Sequence, residues 1–429
     1  MLKKFENRIF YFLLFAIPIS LRHIFHYEPF NFIEWQATYI YATDILLIIL
    51  FLFWAFAGKP IVLKRADWFL LAFVAAAGIS IRNAIDVGTA WFQFAKLIEF
   101  VLLYFYVKDY ALKRFDMTAG FIVLVAGAFF QSVIAIIQFM TQADLGLKYL
   151  GESVLNPTMT GIAAFYVDGV KTIRAYGTTP HSNVLAAYLF LALGAFYSVA
   201  IYHKRQWWWY IFHAVTLWAF FLTFSRVILA LWLLTFIVRT CLIRWYPRFR
   251  AEFWDKPELR PRGLKIFLVT LVVGIMFSAV YWPYVANRAV ISDADEAVQL
   301  RLLYNRESLA SQPHWFGLGL GNFVPWLLKQ DLHLRHDLYQ PVHNIYLLIY
   351  SETGVAGISL FLLFVALLLY DFYRRLGFSR MYHFSFGLII ASILVFGLFD
   401  HFLWTIQSGR LIFWLTLGLL AGAEAGAVF

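Results

Sequence analysis

The sequence predicts an all-α integral membrane protein, a bundle of about 12 transmembrane helices with two long outer (periplasmic) loops, and three observations lead there. Of the 429 residues, 62% are hydrophobic, 20% aromatic and only 14% charged, whereas soluble domains carry about a quarter charged residues. Apolar stretches long enough for a hydrocarbon core of about 30 Å recur from one end to the other. The long Leu, Phe, Ile and Ala runs lack the alternating polarity of barrel strands, so the backbone must satisfy its own hydrogen bonds as helices.

The expected spans lie near residues 9–22, 38–56, 67–81, 92–107, 117–139, 183–202, 208–223, 227–243, 264–282, 344–370, 382–399 and 410–427. The first follows Lys3, Lys4 and Arg8 like a signal peptide. No clear small-residue cleavage site precedes Arg22 and His23, so it is expected to be retained. The whole chain, 1–429, reads as a single transmembrane domain with no internal repeat, which disfavours the duplicated architecture of many secondary transporters.

Charge sets the orientation. Lys3, Lys4, Arg8, Lys59, Lys64, Arg65, Lys108, Lys113, Arg114, Lys204, Arg205, the run from Arg239 to Lys265, Arg374, Arg375 and Arg380 fall on one set of connections. The positive-inside rule makes these cytoplasmic and puts both termini there. The net charge of +10 is then explained by anchors facing anionic lipid, with no nucleic acid as partner. Cys241 is the single cysteine, which excludes an intrachain disulfide and a cysteine-based metal cluster. The two long outer connections run over 141–182 and 283–342, and connections of that length usually carry function.

Several arginines run against the charge bias: Arg174, Arg226, Arg288, Arg301 and Arg306 sit at the outer ends of spans or in the outer loops. Arg226, in Thr223-Phe224-Ser225-Arg226, lies in a tight turn between two apolar spans, where a guanidinium needs an anionic or carbonyl partner. Alone, it is equally well explained as an anchor reaching for lipid headgroups. Arg288, Arg301 and Arg306 would by themselves be read as pairing with Asp293, Asp295, Glu296 and Glu307 on a solvated surface. Together, a set of planar donor forks on one face suits phosphate oxygens, and a diphosphate is the natural guest.

In Pro341-Val342-His343-Asn344-Ile345-Tyr346-Leu347, a His-Asn pair opens a long apolar helix that also carries Glu352, Gly354 and Gly357. A histidine at a helix N-terminus is held neutral and can accept a hydroxyl proton; as a helix cap it would need no chemistry. Gly317-Leu318-Gly319-Leu320-Gly321-Asn322 is a glycine-spaced turn whose amides could approach an anion. Lys96 and Glu99 are spaced to pair on one helix face, with Asp44 and Asp86 nearby. No Walker loop, His-Glu-x-x-His helix or Asp-x-Asp pair occurs in the outer loops, so no cofactor and no metal are expected.

Three pieces together resemble the O-antigen ligase and O-antigen polymerase family of bacterial, polyprenyl-diphosphate-dependent membrane glycosyltransferases. They are Arg174-Ala175-Tyr176-Gly177-Thr178-Thr179-Pro180-His181-Ser182-Asn183, then Thr223-Phe224-Ser225-Arg226, then the stretch from Arg301 through the glycine turn to His343-Asn344-x-Tyr346-Leu347 and Glu352-x-Gly354-x-x-Gly357. The resemblance implies transfer of a glycan from a polyprenyl diphosphate carrier to an acceptor hydroxyl on the outer face of the bacterial inner membrane, without a metal. It implies that Arg174, Arg226 and a loop arginine, Arg301 with Arg288 close behind, hold the diphosphate while His343 activates the acceptor. His181, Asn183, Asn344, Gly319, Gly321, Tyr346 and Glu352 fall in supporting places. An aromatic is expected about four positions after the loop arginine; Asn305 stands there, beside Tyr304. The acceptor is left open: a lipid A core, a growing glycan chain end, or a Ser or Thr. A transporter or flippase of lipid-linked sugars would use the same arginines without chemistry.

Overall fold

The computed structural model describes residues 2–27, 32–202, 207–290, 296–311, 315–330, 332–375 and 380–423. Its main helices in chain order are α1 (Leu2–Ala16), α2 (Ala42–Ala57), α3 (Arg65–Ser80), α4 (Val87–Tyr106), α5 (Met117–Thr141), α6 (Ser182–Tyr202), α7 (Trp208–Leu222), α8 (Arg226–Trp245) and α9 (Arg260–Val280). They continue with α10 (Trp282–Ala289), α11 (Glu296–Ala310), α12 (Phe323–Leu328), α13 (Ile345–Arg375), α14 (Met381–Phe396) and α15 (Gln407–Gly422). Each predicted apolar stretch meets one of these helices, residues 424–427 of the last lying outside the described residues.

Among the described residues, seven helices are long and apolar enough to cross a membrane, and 42–57, 208–222 and 383–396 form shorter apolar helices. The chain is thus a multi-pass helical membrane protein. Large apolar side chains such as Phe56, Leu234, Leu271 and Ile275 stand exposed on the bundle surface, an arrangement that hydrocarbon favours and water penalises. Every residue of α15 is buried, and α15 packs on α4 while α13 packs along α3.

Local chemistry fixes where the helices begin. Asp86 accepts from the Thr89 amide at 2.9 Å to cap α4, and Asp116 accepts from Thr118 at 2.9 Å to cap α5. Asp44 and Asp67 stand three positions into α2 and α3 and reach back to the Tyr41 and Lys64 amides, satisfying donors a helix start leaves open. Both carboxylates also bind buried lysines. Lys108 meets Asp67, with Tyr104 on the other oxygen at 2.6 Å. Lys96 meets both Asp44 and Glu99, so the expected pair within α4 is a three-way bridge to α2.

Four expectations need correction. The first helix spans Leu2–Ala16 rather than 9–22, because Pro18 cannot continue it. The chain beyond forms strand β1 (Arg22–His26), paired antiparallel with β2 (Thr38–Tyr41). The connection 141–182 holds a second hairpin, β3 (Ala164–Val167) and β4 (Val170–Ile173), closed by Asp168-Gly169 with φ of 50° and 78°, as a tight hairpin turn requires. The connection 283–342, expected as a long loop, contains α11, which presents Arg301, Tyr304 and Ser308 at helical spacing on one face while Arg306 is exposed. Ser308 ties this face to the Leu347 carbonyl at 3.0 Å.

The glycine turn locks the same loop to α13. At Gly354 the helix is broken, with φ 72° and ψ −171°. A break at membrane depth persists only where protein satisfies the freed backbone groups. Residues 315–319 do this: Leu318 donates to Ser351 O and Gly319 to Glu352 O, each at 2.9 Å, and the Trp315 carbonyl accepts from Ala356 at 3.1 Å. Gly317, Gly319 and Gly321 all have positive φ, and a Cβ on Gly317 would lie 2.4 Å from the Glu352 carbonyl carbon.

Candidate active site

The site forms where five segments meet at the loop end of the bundle. The first is the turn between α7 and α8. Phe224 has a φ of +44°, a conformation costly for a side chain that branches into a ring, and it is held by packing against Phe139, Phe165, Phe277 and Tyr284. The sharp turn aims the carbonyls of Thr223 and Phe224 in different directions and starts α8 at Arg226.

Each carbonyl takes an arginine. Arg174, buried after β4, donates through Nε to Thr223 O at 2.5 Å. Arg288, near the end of α10, donates to Phe224 O at 3.4 Å, and Arg226 donates in return to Val290 O at 3.2 Å. The turn and the α10 end therefore brace one another through two guanidiniums. Arg301 approaches from α11, and its buried Nε has no hydrogen-bond partner among the described residues.

The arginines act on one another. Burial, with Arg288 and Arg301 adding to it against Tyr176 and Asp400, pulls the Arg174 guanidinium down to about 9. Cations gathered closely enough to weaken each other define a region that a polyanion would stabilise.

Opposite them stands a polar cluster built on Asp400, in the turn between α14 and α15. Asn183, in the first turn of α6, accepts from Arg174 at 2.6 Å and donates to Asp400 at 2.6 Å. Its amide donates to His181 Nδ1 at 3.1 Å, which leaves the ring proton on Nε2. His343 stacks on Tyr304 at 5.6 Å between centroids and meets His401 edge-on at 4.8 Å. His401 Nδ1 is 2.7 Å from Thr405 Oγ1.

The imidazoles are held neutral. Burial lowers His181 to about 4 and His401 to about 3, in each case against the pull of Asp400. Burial also lowers His343, with Arg301 adding to it while Asp400 and the Pro341 carbonyl oppose. For Asp400 burial works upward, and His401, His343, His181 and the Asn183 hydrogen bond overcome it to hold the carboxyl at about 2. Neutral histidines beside an ionised carboxylate can accept a proton and share the resulting charge. Among the described residues, no three His, Cys, Asp or Glu side chains are grouped to hold a metal ion.

Arg174, His181, Asn183, Arg288, Arg301 and His343 are thus brought together, with Arg226 at the adjoining turn. Asn344 is the residue that caps α13, accepting from the Tyr346 and Leu347 amides at 2.9 and 3.2 Å, so His343 is not the cap. Tyr346 turns away to donate to Leu394 O at 2.7 Å. Glu352 faces the amides of Gly321 and Phe323, so the group that this part of the glycine turn approaches is the protein's own carboxyl. Tyr304 rather than Asn305 supplies the aromatic that follows Arg301. Asp293 and Asp295, considered as partners for the loop arginines, lie outside the described residues, as does the Glu296 side chain. The sequence alone does not single out Asp400 and His401, whose only signal is a polar pair interrupting the apolar run Leu398-Phe399 to Phe402-Leu403.

Fold and site together define a multi-pass membrane protein with a buried arginine and histidine centre at one end of its bundle. Residues 211–362 match the family model described as O-antigen ligase, and the chain carries an O-antigen ligase family domain over that stretch. No curated protein matches the chain. The matched stretch contains Arg226, Arg288, Arg301 and His343, while Arg174, His181, Asn183, Asp400 and His401 lie outside it. That match points to glycosyl transfer of the ligase or polymerase type in a membrane.

Proposed function

We propose that the protein is a metal-independent, inverting glycosyltransferase that moves a glycan from a polyprenyl diphosphate carrier to an acceptor hydroxyl at the outer face of a bacterial inner membrane. On this reading the chain crosses the bilayer about twelve times, both termini are cytoplasmic and the site is periplasmic. The observation that carries it is the convergence of Arg174, Arg226 and Arg288 on the Thr223-Phe224 turn, with Arg301 and neutral His343 alongside.

The chemistry follows from where charge moves. The bond between the anomeric carbon and the diphosphate oxygen breaks, and its electron pair leaves with the diphosphate. Fixed guanidiniums stabilise that developing charge most where water is excluded, the task a divalent cation performs elsewhere. The acceptor oxygen bonds to the anomeric carbon from the opposite face and gives its proton to His343. The imidazolium so formed is stabilised by Asp400. Tyr304 and His401 fix the plane of the ring. A lipid A core or a glycan chain end as acceptor makes the enzyme a ligase or a polymerase, and a Ser or Thr makes it a protein O-glycosylase.

The test is transfer by the purified protein in liposomes, with a polyprenyl diphosphate glycan and candidate acceptors, with and without chelator. Product is expected to form in chelator and to vanish in His343→Ala. Transfer that stops on chelation would overturn the role given to the arginines. Donor that crosses the bilayer without any product would make the protein a flippase.

A further inference from the structure

At the end of the bundle away from the arginines and histidines, α6, α8 and α14 part around a cavity with an empty volume of about 590 Å³. Each helix shows the separation. Arg226 and Asn183 open α8 and α6, and Asp400 follows α14, whereas the cavity takes Trp232 to Arg239, Phe190 to Ser198 and Met381 to Ile389 from the same three helices. Arg239 lies well past Arg226, roughly 20 Å along α8. None of the candidate active-site residues lines this cavity.

Its lining changes character from the helix ends inward. Outermost is Arg239, with its guanidinium over the Tyr197 ring at 5.1 Å. Trp232 stands about two turns further in along α8. Tyr197 and Trp232 lie close together, yet neither Tyr197 Oη nor Trp232 Nε1 completes a hydrogen bond among the described residues, although both are buried. Buried donors of this kind call for an acceptor, and an indole can only donate. Phe190, Leu388 and Ile389 then make the wall apolar. At Gly194, Ser198 and Ile389 the cavity adjoins a second one of about 540 Å³, between α1, α5, α6, α14 and α15. Among the described residues no charged side chain lines that second cavity, whose walls include Leu14, Phe121, Leu124, Phe386 and Leu415. A cation, then hydrogen-bond donors, then hydrocarbon is the order that matches the phosphate, ester carbonyls and acyl chains of a glycerophospholipid.

The surroundings select an anionic headgroup. Residues 239–265 carry eight basic and three acidic side chains. Trp207 and Trp245 stand exposed at this end, where tryptophan marks a membrane–water interface. Arg244 and Arg260 lie on the Trp254 ring at 5.5 and 5.1 Å, next to Phe253 on the cavity wall. Basic pockets between membrane helices suit anionic lipid headgroups. We propose that the two cavities form a site for one anionic phospholipid of the leaflet opposite the active site, with its phosphate at Arg239, its ester carbonyls at Tyr197 and Trp232, and an acyl chain in the apolar cavity. The inference stands independently of the glycosyl-transfer reading, because it uses none of the same residues.

The test is native mass spectrometry of the delipidated full chain, titrated with phosphatidylglycerol, with phosphatidylethanolamine of the same chains, with polyprenyl phosphate and with glycerol 3-phosphate. One phosphatidylglycerol is expected to be retained on the order of tenfold more tightly than phosphatidylethanolamine, and glycerol 3-phosphate should not displace it. Arg239→Gln should weaken retention roughly tenfold. Tyr197→Phe should weaken it about two- to tenfold with an unchanged unfolding temperature, since the lost hydroxyl has no hydrogen-bond partner among the described residues. Ser198→Leu should abolish retention by filling the shared wall; its hydroxyl bonds only Gly194 O of its own helix, at 3.2 Å. Arg374→Gln removes an exposed charge outside both cavities and should change nothing. Equal retention of the two phospholipids, preference for polyprenyl phosphate, displacement by glycerol 3-phosphate, or equal losses in Arg374→Gln and Arg239→Gln would overturn the proposal.

Discussion

Arg174 donates through Nε to the carbonyl of Thr223 at 2.5 Å, joining the segment after the β3–β4 hairpin to the strained turn between α7 and α8. The guanidinium is held at both ends, because Nη2 also donates to Asn183 at 2.6 Å. Arg174→Lys keeps the charge but makes neither bond in this geometry. Hydrogen bonds to charged groups contribute about 1.5–3 kcal/mol each, so losing both should lower transfer roughly 10²- to 10⁴-fold. Steady-state kinetics with varied donor checks this; a variant as active as wild type would show that the two bonds do not position the site.

His343 is expected to act on the acceptor rather than on the donor. His343→Ala and His343→Gln should each lower kcat by about 10²- to 10⁴-fold, the usual contribution of a positioned base. Donor affinity, measured by titration with the carrier alone, should change little. A large loss of donor binding with kcat preserved would move His343 to the leaving-group side.

The pH profile carries a sign. His343 lies below its ordinary 6.5, so activity should be flat through neutral pH and fall only in acid, as the base becomes protonated. Asp400 works in the opposite direction, raising His343. Asp400→Asn removes that upward pull, so the acid limb should move to lower pH while the plateau drops. A plateau that falls with the limb unmoved would mean that Asp400 acts through Asn183 and Arg174 alone.

Two glycines with similar backbone angles separate strain from collision. Gly169, at φ +78°, has nothing within 4 Å of an added Cβ, whereas Gly317, at φ +70°, would drive one against the Glu352 backbone. Gly169→Ala should cost only the left-handed conformation, about 1–3 kcal/mol at most. Gly317→Ala should lower the thermal unfolding midpoint further and abolish transfer by undocking the loop. Equal midpoints for the two would show that the loop accommodates the methyl.

The helices were legible because hydropathy is a local property and each apolar stretch reports its own environment. The arginines were legible because they contradict the charge bias expected of the outer connections. What the sequence hid depends on distance along the chain. Asp400 lies 217 positions from its partner Asn183, and nothing within either neighbourhood announces the other. Strand β2 was absorbed into the span that follows it because Thr38-Tyr39-Ile40-Tyr41 reads as the start of that apolar run, while β1 carries Arg22, His23 and His26 and falls largely between the expected spans. The glycine turn read as an anion cradle, since local pattern cannot tell a ligand's oxygens from the carboxyl of Glu352.

The break at Gly354 also bears on how the polypeptide enters the bilayer. A continuous helix can insert alone, because it carries its hydrogen bonds with it. This one leaves donors and acceptors open until residues 315–319 dock against it. Those residues are synthesised just ahead of the helix, so the missing partners have already been delivered when the gap emerges. Span and preceding loop must therefore be secured as a unit, and a lesion in the glycine turn would be felt during membrane integration, before any substrate is met.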